Sequence, residues 1–147
     1  MTDDAALVRE RILSEHADLL GTTADCAEAV AAGWGGDATA DREAVVPPLR
    51  AALERSGALG RLPEMLSTAA RALDATLPAE PVAAPPYVVV AATGPVVRAT
   101  FPDRGRLVVE VRVVRVERGG DGPRYRRVAG GGADPVDPRD LLRVSFR

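Results

Sequence analysis

The chain contains no lysine, no asparagine and no glutamine, so all 19 of its basic residues are arginine. Codons for the three absent residues are A-rich, whereas those for Ala, Gly, Pro, Arg and Val are rich in G and C. The single isoleucine, Ile12, and the scarcity of aromatics fit the same bias, which points to a very GC-rich genome. Arginine here is therefore mutational bias first, and its presence alone is not a sign of selected bidentate chemistry. Cysteine is nearly absent as well: Cys26 alone cannot make an intramolecular disulfide. With His16 as the only histidine, a tetrahedral zinc site would need carboxylates or a second chain to complete it, so no metal is expected. There is also no run of 18 or more consecutive apolar residues. The opening MTDDAALVRER begins with acids rather than a basic segment followed by an apolar one. A cytoplasmic protein without signal peptide or membrane association is the expectation.

What is present is ordinary for a globular protein: 147 residues, 46% of them hydrophobic, enough for one domain or two small modules sharing a core. Charge is unevenly placed. Residues 1–80 carry 14 acids against 7 arginines, net −7, whereas residues 81–147 carry 7 acids against 12 arginines, net +5. Such asymmetry either marks an acidic module beside a nucleic-acid-binding one or brings two complementary halves into contact. Docking is favoured, because +5 over that length, offset locally by Glu110, Glu117 and Asp121, is modest.

The acidic half reads as helix. Val8, Ile12, Leu19, Leu20, Cys26, Ala27, Val30 and Trp34 recur at helical spacing, which predicts one long amphipathic helix or two joined near Gly21-Thr22-Thr23. Gly33, Gly35 and Gly36 end it. Pro47-Pro48 cannot sit mid-helix, so a fresh helix is predicted from about Pro48 to Ser56, capped by Gly57. Another follows with Pro63 in its first turn and Leu66, Ala69, Ala70, Leu73 and Leu77 as its stripe. Three or four helices over residues 1–77 thus form an acidic helical module.

Residues 78–86, PAEPVAAPP, hold four prolines in nine positions and read as an extended connector. Beyond it, over residues 87–147, the period switches from 3.6 to 2. YVVVAA, VVRATF, RLVVEVRVVRVER and RYRRVA are separated by short turns at Thr93-Gly94, PDRG and GGDGP. Links this short predict an antiparallel meander of four strands, with LLRVSFR as a fifth after the loose loop GGGADPVDP. The fold class expected is α+β, the two modules either side by side or sharing one core.

Within RLVVEVRVVRVER, Leu107, Val109, Val111 and Val113 make one apolar face, but Val114 and Val116 continue it out of phase, so a bulge or bend is predicted near Val113-Val114. The arginines therefore do not make one uninterrupted comb. Arg112, Arg115, Arg124, Arg126 and Arg127 are the candidate binding surface; Arg115 and Arg126 can lie close on neighbouring strands with Glu117 near enough to offset them, but the sequence does not fix the hairpin register. The other candidates read as structural. His16, in SEHAD, is expected to be a lone exposed helical histidine, Cys26 a buried small hydrophobe, and Trp34 a plug at a helix end. The glycine stretches GWGGD, GGDG and GGG lack the Lys-Ser/Thr or strand-to-helix context of a phosphate or dinucleotide loop, and no cofactor is expected.

PPYVVVAATGPVVRATF followed by RGRLVVEV, behind an acidic segment with CAEAVAAGW, resembles small uncharacterised haloarchaeal proteins of a domain-of-unknown-function family. The resemblance covers most of the chain and carries no functional residues with it. It implies a cytoplasm at molar salt, where charges are screened within about 3 Å and phosphate binding by counterion release is heavily penalised. A net charge of −2 is mild for such a host, and an actinobacterial one also fits the composition. Three function classes follow: a non-enzymatic cytoplasmic interaction or accessory protein, associating with itself or another protein through its helices or an open sheet edge; a nucleic-acid-binding module using the arginine-rich hairpin; and an enzyme whose helical carboxylates meet arginine in a cleft.

Overall fold

A computed structural model describes residues 3–128 and 136–147. Five α-helices come first: α1 (Asp4–Glu15), α2 (Ala17–Ala32), α3 (Val46–Arg55), α4 (Ala58–Arg61) and α5 (Glu64–Leu73). Between α2 and α3 lie a two-residue strand, β1 (Ala38–Thr39), and a 3-10 turn over Arg42–Ala44. The second half supplies β2 (Val88–Ala91), β3 (Gly94–Phe101), β4 (Gly105–Val111), β5 (Val114–Gly119) and β6 (Gly122–Arg127). A one-turn helix, α6 (Pro138–Leu141), then leads into β7 (Leu142–Phe146). The α+β class holds, with helices in the first half and antiparallel strands after. The strands among the described residues number seven in two sheets, more than the four or five expected. No helix among the described residues is long and apolar enough to cross a membrane.

The helix ends follow local chemistry, with one displacement. Asp3 accepts a hydrogen bond from the Ala5 N–H and caps α1, and Pro47 and Pro48 fall in the first turn of α3, where their missing donors cost nothing. Gly57, at φ +82°, ends α3 in the left-handed conformation. The joint expected near Gly21 lies instead at His16, whose φ of −125° breaks the helix between α1 and α2, while Gly21 sits inside α2. A lone glycine in a helix costs only about 1 kcal/mol, too little to decide a break. Similarly, α5 stops at Leu73 because Asp74 turns left-handed, so Leu77 lies beyond the helix it was expected to complete.

The single meander does not form. β2, β3, β4 and β7 make one antiparallel sheet in that order, and β1, β6 and β5 make a second. The phase slip at Val113-Val114 is where the chain leaves one sheet for the other. β4 ends at Val111, β5 starts at Val114, and the Val113 and Val114 N–H groups both donate to the Thr93 carbonyl, at 2.9 and 3.0 Å. Switching sheets keeps Val111, Val113 and Val114 all dry, which a bulge within one flat sheet would not do. Most of GGGADPVDP, residues 130–135, lies outside the described residues.

Both halves contribute to one hydrophobic cluster. Val8, Ile12, Leu49, Leu53 and Leu66 from the helices join Val97, Phe101, Leu107, Val109 and Leu142 from the sheet. The four-stranded sheet turns the odd residues of β3 and β4 inward, with Val97, Leu107 and Val109 fully buried. Phe101 meets Phe146 of β7 edge to face at 6.4 Å. Ion pairs join the halves at the rim. Arg104, in the β3–β4 turn, bonds Asp4 of α1 at 2.9 Å and the Leu73 carbonyl at 3.0 Å, and Arg139 of α6 grips both oxygens of Glu10. That two-pronged hydrogen bond holds the Glu10 carboxyl below its usual range.

Candidate interaction surface

The β5–β6 hairpin is built by the GGDG turn. Gly119 pairs with Gly122 across the two residues Gly120 and Asp121, and Gly122 takes φ +98°, which a side chain would resist. From there the register runs Arg118 to Pro123, Glu117 to Arg124, Val116 to Tyr125, Arg115 to Arg126 and Val114 to Arg127. Pleating puts Val114, Val116 and Tyr125 on the inner face, with Val114 and Tyr125 buried. Arg115, Glu117, Arg124 and Arg126 share the outer face.

The five candidate arginines therefore do not form one set. Arg115 and Arg126 lie close, as expected, and the register sets them directly opposite each other, with Arg124 completing the outer face beside them. Glu117 sits among them and accepts a hydrogen bond from the diagonal Arg126 at 3.1 Å, which leaves Arg126 half-buried and offset. Arg127 points to the opposite face and is half-buried, and Arg112 is exposed at the joint between the sheets, outside both strands. Among the described residues, no carboxylate pairs with Arg112, Arg115 or Arg124. Among the described residues, the acidic helices thus neutralise Arg104 and Arg139 but not Arg112, Arg115 or Arg124.

The second feature of the hairpin is its backbone. The Val128 N–H donates to the Val113 carbonyl at 2.9 Å, so the odd residues of β5 face β6. Antiparallel alternation then turns the N–H and C=O of Val114, Val116 and Arg118 away from it. The Val114 N–H is used on Thr93. Beside Val116 and Arg118 no further strand pairs among the described residues, because β5 is the last strand of its sheet. The periodicity of the sequence could not show this, since an edge is a property of strand order.

β6 is flanked on its other side by β1, with Ala38 opposite Arg126 and Thr39 opposite Tyr125. No alternation signals a strand of two residues, and β1 went unseen in the sequence. Next to it, a cavity of about 600 Å³ opens between the end of α2 and β6, lined among others by Glu28, Trp34, Asp37, Arg126 and Arg127. Trp34 is anchored at its rim, its Nε1 donating to the Ala44 carbonyl at 2.9 Å.

The two residues with nucleophilic or acid-base chemistry lie elsewhere and apart. Cys26 is buried, as its place on the apolar stripe implied, and its thiol donates to the Ser56 hydroxyl at 3.5 Å. His16 corrects the expectation of an exposed side chain: it is 7% exposed, wedged at the α1–α2 joint with Nε2 2.7 Å from the Thr68 hydroxyl of α5. Burial pushes its pKa below the usual 6.5, against the pull of Glu64, Glu15 and Asp18, with Arg61 adding to the fall. Its Nδ1 is buried and unpartnered. Among the described residues no three His, Cys, Asp or Glu side chains gather as metal ligands would.

Compared with known proteins, the chain matches the family model described as a domain of unknown function over residues 6–147, nearly its whole length. No curated protein and no solved structure matches it.

Proposed function

The chain belongs to the DUF7988 domain family, and we propose that it is a small, non-enzymatic cytoplasmic interaction protein that meets a protein partner through the β5–β6 hairpin. One observation carries the reading: the outward backbone groups of Val116 and Arg118 run along the last strand of a sheet, beside the exposed Arg115 and Arg124. An extended segment added there gains main-chain hydrogen bonds from the edge and side-chain selection from the outer face. The separation of Cys26 and His16, each held by its own structural partner, supports a role without turnover. The molar salt of the haloarchaeal host that the resemblance implies fits the same reading, because backbone pairing and apolar contact survive where phosphate attraction is screened.

Nucleic-acid binding through the same hairpin is the second reading, favoured by Arg115 and Arg124 having no carboxylate partner among the described residues. A photo-crosslinking amino acid placed at position 124 separates the two. Protein adducts from position 124 in the host cell, and none from position 50 on α3, are the expected result. Nucleic-acid adducts at 124 would transfer the argument to the second reading, and silence at 124 would sink both.

A further inference from the structure

Resting on the reading of the hairpin as a protein-binding surface, we propose that its partner is a second copy of this chain. The two β5 edges run antiparallel, in the register that sets Val116 opposite Val116 of the second copy. The residues that the edge can present set the register. Only the even residues of β5 turn their backbone groups outward, so a symmetric antiparallel pair must match even with even. Three such registers overlap well. Centring on Arg115 puts two guanidiniums face to face, and centring on Glu117 opposes two carboxylates. Centring on Val116 places Arg115 opposite Glu117 of the second copy, twice over, by symmetry.

That register also makes main-chain hydrogen bonds at its centre and on either side of it. Val116 exchanges both its N–H and its C=O with its counterpart. The Arg118 N–H meets the Val114 carbonyl of the second copy, while the Val114 N–H stays with the Thr93 carbonyl of its own chain. Arg115 and Glu117 then fall at non-hydrogen-bonded positions, where opposed side chains approach most closely. Glu117 can serve both neighbours, because Oε1 holds Arg126 and its other oxygen is free to receive Arg115. On the inner face, the half-buried Val116 side chains of the two copies meet and lose their remaining contact with water. The product is a continuous six-stranded sheet in the order β1-β6-β5-β5-β6-β1, with neither β5 left as an edge.

Sedimentation equilibrium of the full chain over a concentration series tests this with three variants. The wild type is expected to show a concentration-dependent monomer–dimer equilibrium. Val116→Pro removes an N–H that faces away from β6, so it should be monomeric at every concentration with an unchanged circular dichroism spectrum. Arg115→Glu is well placed within its own chain, opposite Arg126, yet sets carboxylate against carboxylate between copies. It should weaken dimerisation about tenfold through the two cross-strand pairs. The double variant Arg115→Glu/Glu117→Arg should restore most of that loss, and this rescue would hold the proposal to account even if Val116→Pro failed to fold. A wild type that stays monomeric overturns the proposal, as does a Val116→Pro dimer or a double variant without rescue. A monomer that still gives protein adducts from position 124 would overturn self-pairing while leaving the interaction reading in place.

Discussion

The two sheets are made from nearly the same alphabet and meet different fates. β3 and β4 alternate valine, leucine and arginine much as β5 and β6 do. Yet in the four-stranded sheet Val97, Leu107, Val109 and Phe101 are sealed under the helices. In the three-stranded sheet Val114 and Tyr125 are the buried residues, and Val116 is only half-covered. α1, α3 and α5 reach β7, β2 and β3, whereas the smaller sheet is met by α2 at β6. Coverage, more than strand composition, separates a structural sheet from one with surface left to offer. Val108 underlines the point: it points away from the main core and is still 5% exposed, shielded from the far side of the sheet.

The sharpest way to break the comparison is to cut the same kind of cavity in each sheet. Phe101→Ala in β3 should cost ~3–5 kcal/mol of unfolding free energy, while Tyr125→Ala in β6 should cost only about 2 kcal/mol because its surroundings are thinner and freer to collapse. Equal losses in urea titrations would mean that the small sheet is as much a part of the core as the large one.

An intermediate effect should come from acid acting on the helical layer. The pKa of His16 is lowered in the fold, so the unfolded chain binds the proton more readily. Stability should then fall as pH drops below about 6.5, the unfolded value, and level off below the folded one. Thermal unfolding from pH 7 to pH 5 should show a falling midpoint in the wild type and a flatter one in His16→Gln, with the carboxylates of Glu10 and Asp18 still ionised over that range. A wild-type midpoint that is level over the same range would show that the buried imidazole carries its proton at little cost.

The smallest effect is expected on the outer face of the hairpin. Arg126 and Glu117 are about as exposed as they are buried, at 40% and 43% of their side-chain area. A double-mutant cycle between them should give below about 1 kcal/mol. A larger coupling would mark the arginine face as a stabilising element of the fold, rather than a surface kept for contact.

Much of the local structure was legible before any coordinates. The helical period from Val8 to Val30, the prolines at the start of α3, Gly57 at its end and the change to period 2 after the proline-rich connector all appear in the fold as read. That Arg115 and Arg126 lie on neighbouring strands was legible, but their direct opposition was not, because the register across the GGDG turn is set only in the folded hairpin. The candidate surface was half legible: Arg115, Arg124 and Arg126 share a face, while Arg127 lies on the other and Arg112 in neither strand.

By itself, then, the sequence determined what short stretches of chain decide. These are element type, caps, turns and the alternation of faces, each set by backbone geometry and side-chain spacing within a few residues. Only the tertiary structure decided that the long run Arg106–Arg118 is two strands in two sheets, that Ala38 and Thr39 join β6, and that His16 is buried against Thr68. Each depends on residues distant in the chain. Burying Val113 and Val114 on both sides of a phase slip took a second sheet, which β1 from the helical half joins. Its last strand was left with an edge.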